Sequence, residues 1–167
     1  MNFTQLSDTI PIEFGKEFIS FVTGNSTEDR ISLKYYHNPT TGAVYADVRF
    51  GQLAQGPPGH AHGGAISAVF DELMGACCWV NRLPALTAQY TTRFFKPVPL
   101  DIQFIFCTGV THRDGNKITL KAALKDGEGN KYAEAKGLFI MQDIATFKKM
   151  AEVNPAYTPH FESFDNL

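Results

Sequence analysis

The sequence predicts an α+β domain in which an antiparallel sheet packs against one long helix. The helix is predicted from residues 63–80, where Ile66, Val69 and Leu73 belong to an apolar face that recurs at intervals of three and four. The sheet is predicted from the segments on either side, in which apolar and polar residues alternate and short turns join one run to the next. Consecutive hairpins favour antiparallel pairing, and the single long helix can cover one face of such a sheet.

Three elements are predicted before the long helix. Residues 11–22 are expected to form a first helix, which the Gly-Asn-Ser run at 24–26 would end. A short strand is expected at 31–36, and turn residues at 38–42 connect it to a second strand at 43–50. This second strand alternates cleanly between apolar and polar residues, so we expect it to be half-buried.

Four strands are predicted after the long helix, at 85–95, 101–111, 118–125 and 131–142. The Asp-Gly pair within residues 113–116 predicts a tight hairpin between the second and third of these strands. A second turn at 126–129 leads to the last strand, and a short helix is expected near 145–153.

Length and composition are typical of one globular domain. The chain has 167 residues, of which 44% are hydrophobic and 14 are Phe, and such a chain can bury a sizeable core. We find no internal repeat or linker, so we expect a single domain over 1–167, with a core at about 31–142, an extension at 1–30 and a tail at 143–167. The formal net charge of −2 gives no reason to expect nucleic acid or an anionic membrane surface as a partner.

Neither a membrane span nor a targeting segment is predicted. No apolar run approaches the length that a membrane span needs, and the first 30 residues lack the basic start and apolar stretch of a secretory signal. Cys77, Cys78 and Cys107 form neither a disulfide framework nor a metal-ligand spacing. We therefore expect a cytoplasmic protein whose cysteines are reduced and buried.

The start of the long helix combines a turn with unusual backbone exposure. Gly56-Pro57-Pro58-Gly59 is typical of a turn, because Gly admits positive φ and Pro fixes φ near helical values. Gly63 and Gly64 then leave unpaired N–H groups at the positive end of the helix dipole. A helix start of this kind suits an oxyanion.

One stripe of the same helix is nearly without side chains. Gly64, Ala68, Asp71 and Gly75 fall together at about 100° per residue, away from the apolar face. Another backbone or a ligand can therefore approach Asp71 closely. The sequence thus predicts a carboxylate and an oxyanion site within one helix.

Plainer interpretations of these residues stay open. Asp71 could be a solvated residue on a helix that is not fully buried, and His62 could be only a helix cap. Glu72 lies about 100° further around the helix and is interpreted as structural or exposed. His60 and His62 could suggest a metal site, but no third and fourth ligands follow at a suitable spacing.

Three segments of the chain carry a family resemblance. They are Gly-Pro-Pro-Gly-x-x-His-Gly-Gly-Ala-Ile at 56–66, followed by Asp71, then the strand segment at 87–100, and the late segment at 133–139. Together they resemble the PaaI-like branch of the hotdog-fold acyl-CoA thioesterases, over about residues 40–142. The resemblance implies a curled antiparallel sheet wrapped around one long helix, and hydrolysis of an acyl-CoA thioester to free acid and CoA without a cofactor. The absence of a Gly-x-Ser-x-Gly motif argues against a serine-triad hydrolase.

The resemblance also implies roles for individual residues. Asp71 matches the catalytic carboxylate, which acts as general base or as nucleophile. Gly63 or Gly64 matches the helix-start position whose N–H polarises the thioester carbonyl. His62 matches a helix-start or substrate-positioning histidine, and Thr87 matches a hydroxyl that helps to hold the attacking water.

Substrate-binding residues and partners are predicted as well, although His60 is not a fixed residue of the family that the chain resembles. Arg93 and Lys96 are candidates for contact with the phosphates of CoA, although they could equally be outward strand charges, and His60 is a third substrate-binding candidate. One helix cannot cover both faces of the sheet, so we expect a homodimer, or a tetramer made of two dimers, with the site between subunits. A non-catalytic acyl-CoA sensor and an acyl-thioester hydratase are the alternatives.

Overall fold

The computed structural model describes residues 8–13, 21–22 and 29–152. Its helices and strands are, in chain order, β1 (Ile10–Pro11), β2 (Ile31–His37), β3 (Val44–Phe50), α1 (Gly63–Val80), β4 (Ala85–Phe94), β5 (Gln103–Asp114), β6 (Lys117–Lys125), β7 (Lys131–Met141) and α2 (Ile144–Glu152). A short 3-10 helix, Gln52–Ala54, lies between β3 and α1. The strands form one antiparallel sheet in the order β1-β2-β3-β5-β6-β7-β4. The predicted α+β class is confirmed.

The predicted first helix at 11–22 is wrong at its start. Pro11 lies in β1 and pairs with Tyr36 of β2, and the N–H of Ile12 donates to the carbonyl of Tyr35 at 3.0 Å. The edge of β2 offers unpaired backbone groups that local apolar spacing does not reveal, and an edge strand tolerates proline. The stretch 14–20 of the predicted helix lies outside the described residues.

Helix α1 is the centre of the core. Its apolar face is buried against the sheet, and the buried residues are Ile66, Val69, Phe70, Leu73, Met74, Ala76, Cys77 and Cys78. The facing residues of β3, from Val44 to Phe50 at every second position, are fully buried as the alternation predicts. Phe70 meets Phe106 of β5 edge to face, with ring centroids 4.7 Å apart. The apolar periodicities of α1 and β3 are therefore both explained by the interface between the helix and the sheet.

The hairpins after α1 follow the predicted turns closely. Strand β5 is longer than predicted and runs to Asp114, which pairs with Lys117 across a two-residue loop. Gly115 in this loop has φ +55°, a conformation that glycine adopts readily. In the following turn, Asp126 accepts hydrogen bonds from the N–H groups of Glu128 and Asn130. The side chains of the turns therefore fix the register of β5, β6 and β7.

The prediction that no apolar run is long enough to span a membrane is wrong for α1. By length and composition alone, α1 is long and apolar enough to cross a membrane. Its apolar residues, however, pack into the sheet, and a core helix has the same composition for that reason. In the described part of the chain α1 is the one helix with this property.

The sheet packs tightly against α1 at Gly137 of β7. A methyl group at this position would lie 2.9 Å from Met74 Sδ and 2.9 Å from Phe139 Cε2. Met74 and Phe139 are themselves buried, so neither can move aside into solvent. The absence of a side chain at Gly137 therefore lets helix and sheet meet.

We predict that Gly137→Ala lowers the free energy of unfolding by about 1–3 kcal/mol, because it overpacks the interface between α1 and β7. Gly127→Ala is the matched control, since nothing lies within 4 Å of a methyl group added there. Urea denaturation of both variants checks the prediction. Equal stability of the two variants would contradict it.

Candidate active site

His62 caps the start of α1. Its backbone is extended, with φ −65° and ψ 137°, and its ring Nδ1 accepts a hydrogen bond from the N–H of Gly64 at 2.9 Å. A methyl group on Gly64 would lie 2.9 Å from the same Nδ1, so the cap requires glycine at this position. Nδ1 must carry no proton in order to accept. The helix-cap interpretation of His62 is therefore the geometry that the structure shows.

The cap gives the N–H groups of Gly63 and Gly64 different surroundings, which the sequence alone could not distinguish. The N–H of Gly64 is engaged by His62. The N–H of Gly63 has no hydrogen-bond acceptor within the described residues. Because Gly63 is the first residue of α1, its N–H lies at the positive end of the helix dipole. Of the two glycines, Gly63 is thus the one whose N–H is left without an acceptor in the described part of the chain.

The turn before α1 is packed against His62. A methyl group on Gly56 would lie 2.8 Å from the Cα of His62, and the N–H of Gly56 donates to the carbonyl of His60 at 2.9 Å. The ring of His60 points back into the turn, where Nδ1 lies 2.9 Å from the carbonyl oxygen of Pro58. His60 therefore serves the turn in this structure, and its substrate-binding role stays a prediction.

Asp71 and Thr87 are brought together from two different elements. The Thr87 hydroxyl on β4 donates to Asp71 Oδ1 on α1 at 2.8 Å. Donation to Asp71 uses the single hydroxyl proton, so the lone pairs of Thr87 Oγ1 stay available to accept from a water. Asp71 Oδ2 has no partner among the residues described. The pair therefore presents a carboxylate oxygen beside a hydroxyl acceptor.

A β-bulge aims Thr87 at the helix. Thr87 pairs with Phe139 and Gln89 pairs with Leu138, so Ala88 is an extra residue in β4. A bulge reverses which side chains face inward beyond it and is common beside active sites. Thr87 and Tyr90, three positions apart, therefore face α1 together. The strand was predicted from the sequence, but the bulge was not.

Further groups on this face of β4 were missed by the sequence reasoning. Burial and the nearby charge of Asp71 raise the pKa of Tyr90. Thr92 has a buried Oγ1 without a hydrogen-bond partner in the described part of the chain. Beyond it, Phe94 lies against the helix start, with Cζ 3.5 Å from a methyl group placed on Gly63. Beyond the bulge, Tyr90, Thr92 and Phe94 lie at every second position of β4. This alternation would have identified all three as facing α1.

Glu72, the second carboxylate of α1, and the three cysteine thiols are held within the fold by hydrogen bonding or burial. Glu72 accepts a hydrogen bond from the Tyr35 hydroxyl at 3.2 Å, and burial beside Glu72 raises the pKa of Tyr35. Burial raises the pKa of Cys77 to about 11 and that of Cys78 to about 12, and Cys107 is shifted in the same direction. All three cysteines are free and buried, as predicted. A thiolate nucleophile is therefore disfavoured at these positions.

Arg93 and Lys96 are not brought to Asp71. Arg93 lies on the opposite face of β4 from Phe94, where it pairs with Glu134 at 3.6 Å and helps to line a cavity of about 610 Å³. Lys96 lies past the end of β4 with its Nζ 5.4 Å from the ring centroid of Tyr132. The interpretation as outward charges fits Arg93, and contact with CoA phosphates stays a prediction for both.

No group of three or more His, Cys, Asp or Glu side chains with the geometry of a metal site occurs in residues 8–13, 21–22 and 29–152. His60 and His62 make different hydrogen bonds. The ring of His60 contacts the carbonyl of the turn, whereas the ring of His62 caps α1.

The carboxylate of Asp71 and the N–H of Gly63 lie far apart within one chain. Asp71 is eight residues after Gly63 on α1, which corresponds to about 12 Å along the helix axis. A carbonyl carbon and its oxygen are only about 1.2 Å apart. The separation of the two groups along the axis is therefore about ten times the length of the carbonyl bond on which both would act.

Comparison with known proteins identifies relatives of this arrangement. Residues 58–133 match the family model of the thioesterase superfamily. The chain is 28% identical over 121 residues to the acyl-coenzyme A thioesterase THEM4 of Mus musculus, and 33% identical over 119 residues to that of Bos taurus. These alignments cover 71% and 70% of this chain but 52% and 49% of the relatives. The chain thus spans about half the length of the curated relatives it matches.

Solved structures share the fold. A thioesterase superfamily protein superposes with a TM-score of 0.62 and 29% identity, over 65% of this chain and 53% of that one. A hypothetical thioesterase protein from Streptococcus pneumoniae, solved with coenzyme A, has a TM-score of 0.61 and 17% identity, over 68% of this chain and 90% of its own. The hotdog arrangement predicted from the sequence is confirmed.

We predict that His62→Ala destabilises the fold by about 0.5–2 kcal/mol, because the N–H of Gly64 loses its acceptor. His62→Asn should recover most of this loss, since an Asn side-chain oxygen is a good N-cap. Denaturant unfolding of the two variants and the wild type measures both effects. Identical midpoints for His62→Ala and the wild type would show that the cap contributes nothing.

Proposed function

From the match of its core to the thioesterase superfamily, we propose that this chain hydrolyses acyl-CoA thioesters to free acid and CoA. The observation that carries the proposal is the 2.8 Å hydrogen bond between Thr87 and Asp71 beside the uncovered stripe of α1. The matched relatives from mouse and cattle are named acyl-coenzyme A thioesterases, and a structural neighbour was solved with coenzyme A. These names support the substrate class.

We assign Asp71 as the general base. A water held by the Thr87 hydroxyl loses a proton to Asp71 as its oxygen attacks the thioester carbonyl carbon. The carbonyl oxygen becomes negative and accepts a hydrogen bond from the N–H of Gly63, aided by the helix dipole. The C–S bond then breaks, and the CoA thiolate takes the proton from Asp71. Direct attack by Asp71 would not need a hydroxyl acceptor at its side, so Thr87 favours the base over the nucleophile.

The separation of Asp71 from Gly63 leads us to propose a homodimer. About 12 Å along α1 lies between them, so we expect the carboxylate of one subunit to work with the helix start of another. Two-fold symmetry produces two such mixed sites from antiparallel copies of α1. The dimer thus completes the site at Asp71.

Strand β4 provides an edge for this assembly. Among the described strands it pairs with β7 on one side and ends the sheet on the other, so that its ten residues form an edge. Its apolar residues Leu86 and Phe94 are exposed, as is the adjoining Phe95. A long apolar edge is unfavourable in a monomer. Pairing β4 with its symmetry copy would make the sheet continuous and cover these side chains.

A structural neighbour has an aspartate and a threonine with the same sequence spacing as Asp71 and Thr87. The streptococcal thioesterase protein has also been solved with an aspartate replaced by alanine and with a threonine replaced by alanine, sixteen positions apart. Asp71 and Thr87 are separated by the same sixteen positions. The equal spacing supports the assignment of these two residues to one site.

We predict that Asp71→Asn lowers kcat for acyl-CoA hydrolysis by at least about 10²-fold, because the amide cannot accept the proton of water. Glu72→Gln is the matched control, since it makes the same chemical change one residue away on α1 and should leave kcat nearly unchanged. Steady-state hydrolysis over a panel of acyl-CoA substrates measures both.

An Asp71→Asn variant as active as the wild type would overturn the mechanism. A wild-type protein that binds acyl-CoA tightly but hydrolyses none would identify an acyl-CoA sensor, and hydration of an enoyl-CoA without hydrolysis would identify a hydratase.

A further inference from the structure

An apolar groove begins at the capped helix start. It has a volume of about 390 Å³, within the range of small-molecule pockets, and is lined by ten residues that include His62, Gly64 and Ala68 of the helix region. The opposite wall is formed by Leu53 and Ile31. Both lie outside the segment 58–133 that matches the superfamily model. This wall therefore lies outside the part of the chain that the superfamily model matches.

The side chains of the groove are arranged to meet an apolar ligand. Of the two wall residues, Ile31 is 6% exposed and Leu53 is 68% exposed, and Phe21, which also lines the groove, is 78% exposed. The Arg30 guanidinium lies 5.5 Å from the centroid of the Phe21 ring. Large apolar side chains that are solvated beside a preformed cavity gain free energy when a ligand covers them.

Backbone hydrogen bonds attach the groove wall to the helix start. The N–H of Leu53 donates to the carbonyl of Asp29 at 2.7 Å, which fixes the 3-10 helix on the turn that precedes β2. The N–H of His62 donates to the carbonyl of Ala54 at 2.8 Å. The wall carrying Leu53 is thereby fixed relative to the residue that caps α1. A ligand group placed at the helix start meets the groove without rearrangement.

We propose that this groove holds the acyl chain of the thioester and that Leu53 and Ala68 determine chain-length selectivity. The inference rests on the proposed thioesterase function. The groove shares His62 and Gly64 with the helix start that would receive the thioester oxygen. A chain attached to that carbonyl is therefore positioned to enter a groove whose described lining is mainly apolar and whose one charged side chain is Arg30.

The groove sets a preference for medium or long acyl groups over acetyl. Each methylene that leaves water contributes up to about a fourfold gain in kcat/KM, until the groove is filled. Leu53→Asp places a charge on the rim and should remove this gain. Ala68→Leu fills the groove from α1 and should shift the optimum toward shorter chains.

The test measures kcat/KM for acetyl-, butanoyl-, octanoyl- and dodecanoyl-CoA with the full-length protein. We expect Leu53→Asp to lower kcat/KM for octanoyl-CoA by at least about tenfold while acetyl-CoA changes by less than about twofold. Val110→Asp is the control, since Val110 is an exposed apolar residue of β5 next to Cys77, far along α1 from the helix start. It should change all four substrates equally or not at all. Thermal unfolding of each variant shows that the fold is retained.

Three outcomes distinguish a failure of the proposed thioesterase function from a failure of the proposed acyl groove. No hydrolysis of any substrate by the wild type refutes the proposed function itself. Hydrolysis by the wild type that Leu53→Asp lowers equally for acetyl- and octanoyl-CoA, or leaves unchanged, refutes the acyl groove while retaining the thioesterase. A loss confined to the longer chains, with a shorter optimum for Ala68→Leu, supports both.

Discussion

The site depends on α1 being buried on one side and nearly bare on the other. The buried side packs into a curled sheet, and Gly137 allows β7 to approach Met74 without an intervening side chain. The uncovered side carries Asp71 between small residues, with no atom within 4 Å of a methyl group placed on Gly75. Because the sheet cannot close around this stripe, a carboxylate lies at an accessible surface of an otherwise apolar helix. The same packing brings Thr87 of β4 within 2.8 Å of that carboxylate.

The cap at His62 has a consequence for the proposed catalysis as well as for stability. By engaging the N–H of Gly64, the imidazole leaves Gly63 as the donor that faces outward at the end of the dipole. Two backbone groups that are chemically equivalent in the sequence thus acquire different tasks. The groove wall is hydrogen-bonded to the same residue, so the cap joins the oxyanion position to the proposed acyl site. One histidine therefore organises three features of the helix start.

Much of the fold and part of the site could be predicted from the sequence, because they depend on local periodicity and turn chemistry. The bounds of α1 and the position of Asp71 on its stripe of small residues belong to this group. Thr87 was identified only through the family resemblance, and its hydrogen bond to Asp71 is seen only in the structure. The bulge at Ala88 could not be predicted, since it arises from register against β7 and leaves no local signal. The pairing of β1 with β2 and the groove wall at Leu53 depend on contacts between distant segments. Arg93 was ambiguous because a strand residue can face either side of the sheet.

The central claim, that Asp71 of one subunit works with Gly63 of another, is tested most directly by subunit complementation. Gly63→Pro removes the N–H donor while suiting the first helical position and the extended backbone of His62, and Gly63→Ala, which retains the donor, is its control. We expect Asp71→Asn and Gly63→Pro each to be inactive alone, and co-expressed dimers to recover about a quarter of wild-type activity, because half are mixed and each mixed dimer has one intact site. Mixed dimers without activity would contradict the shared site.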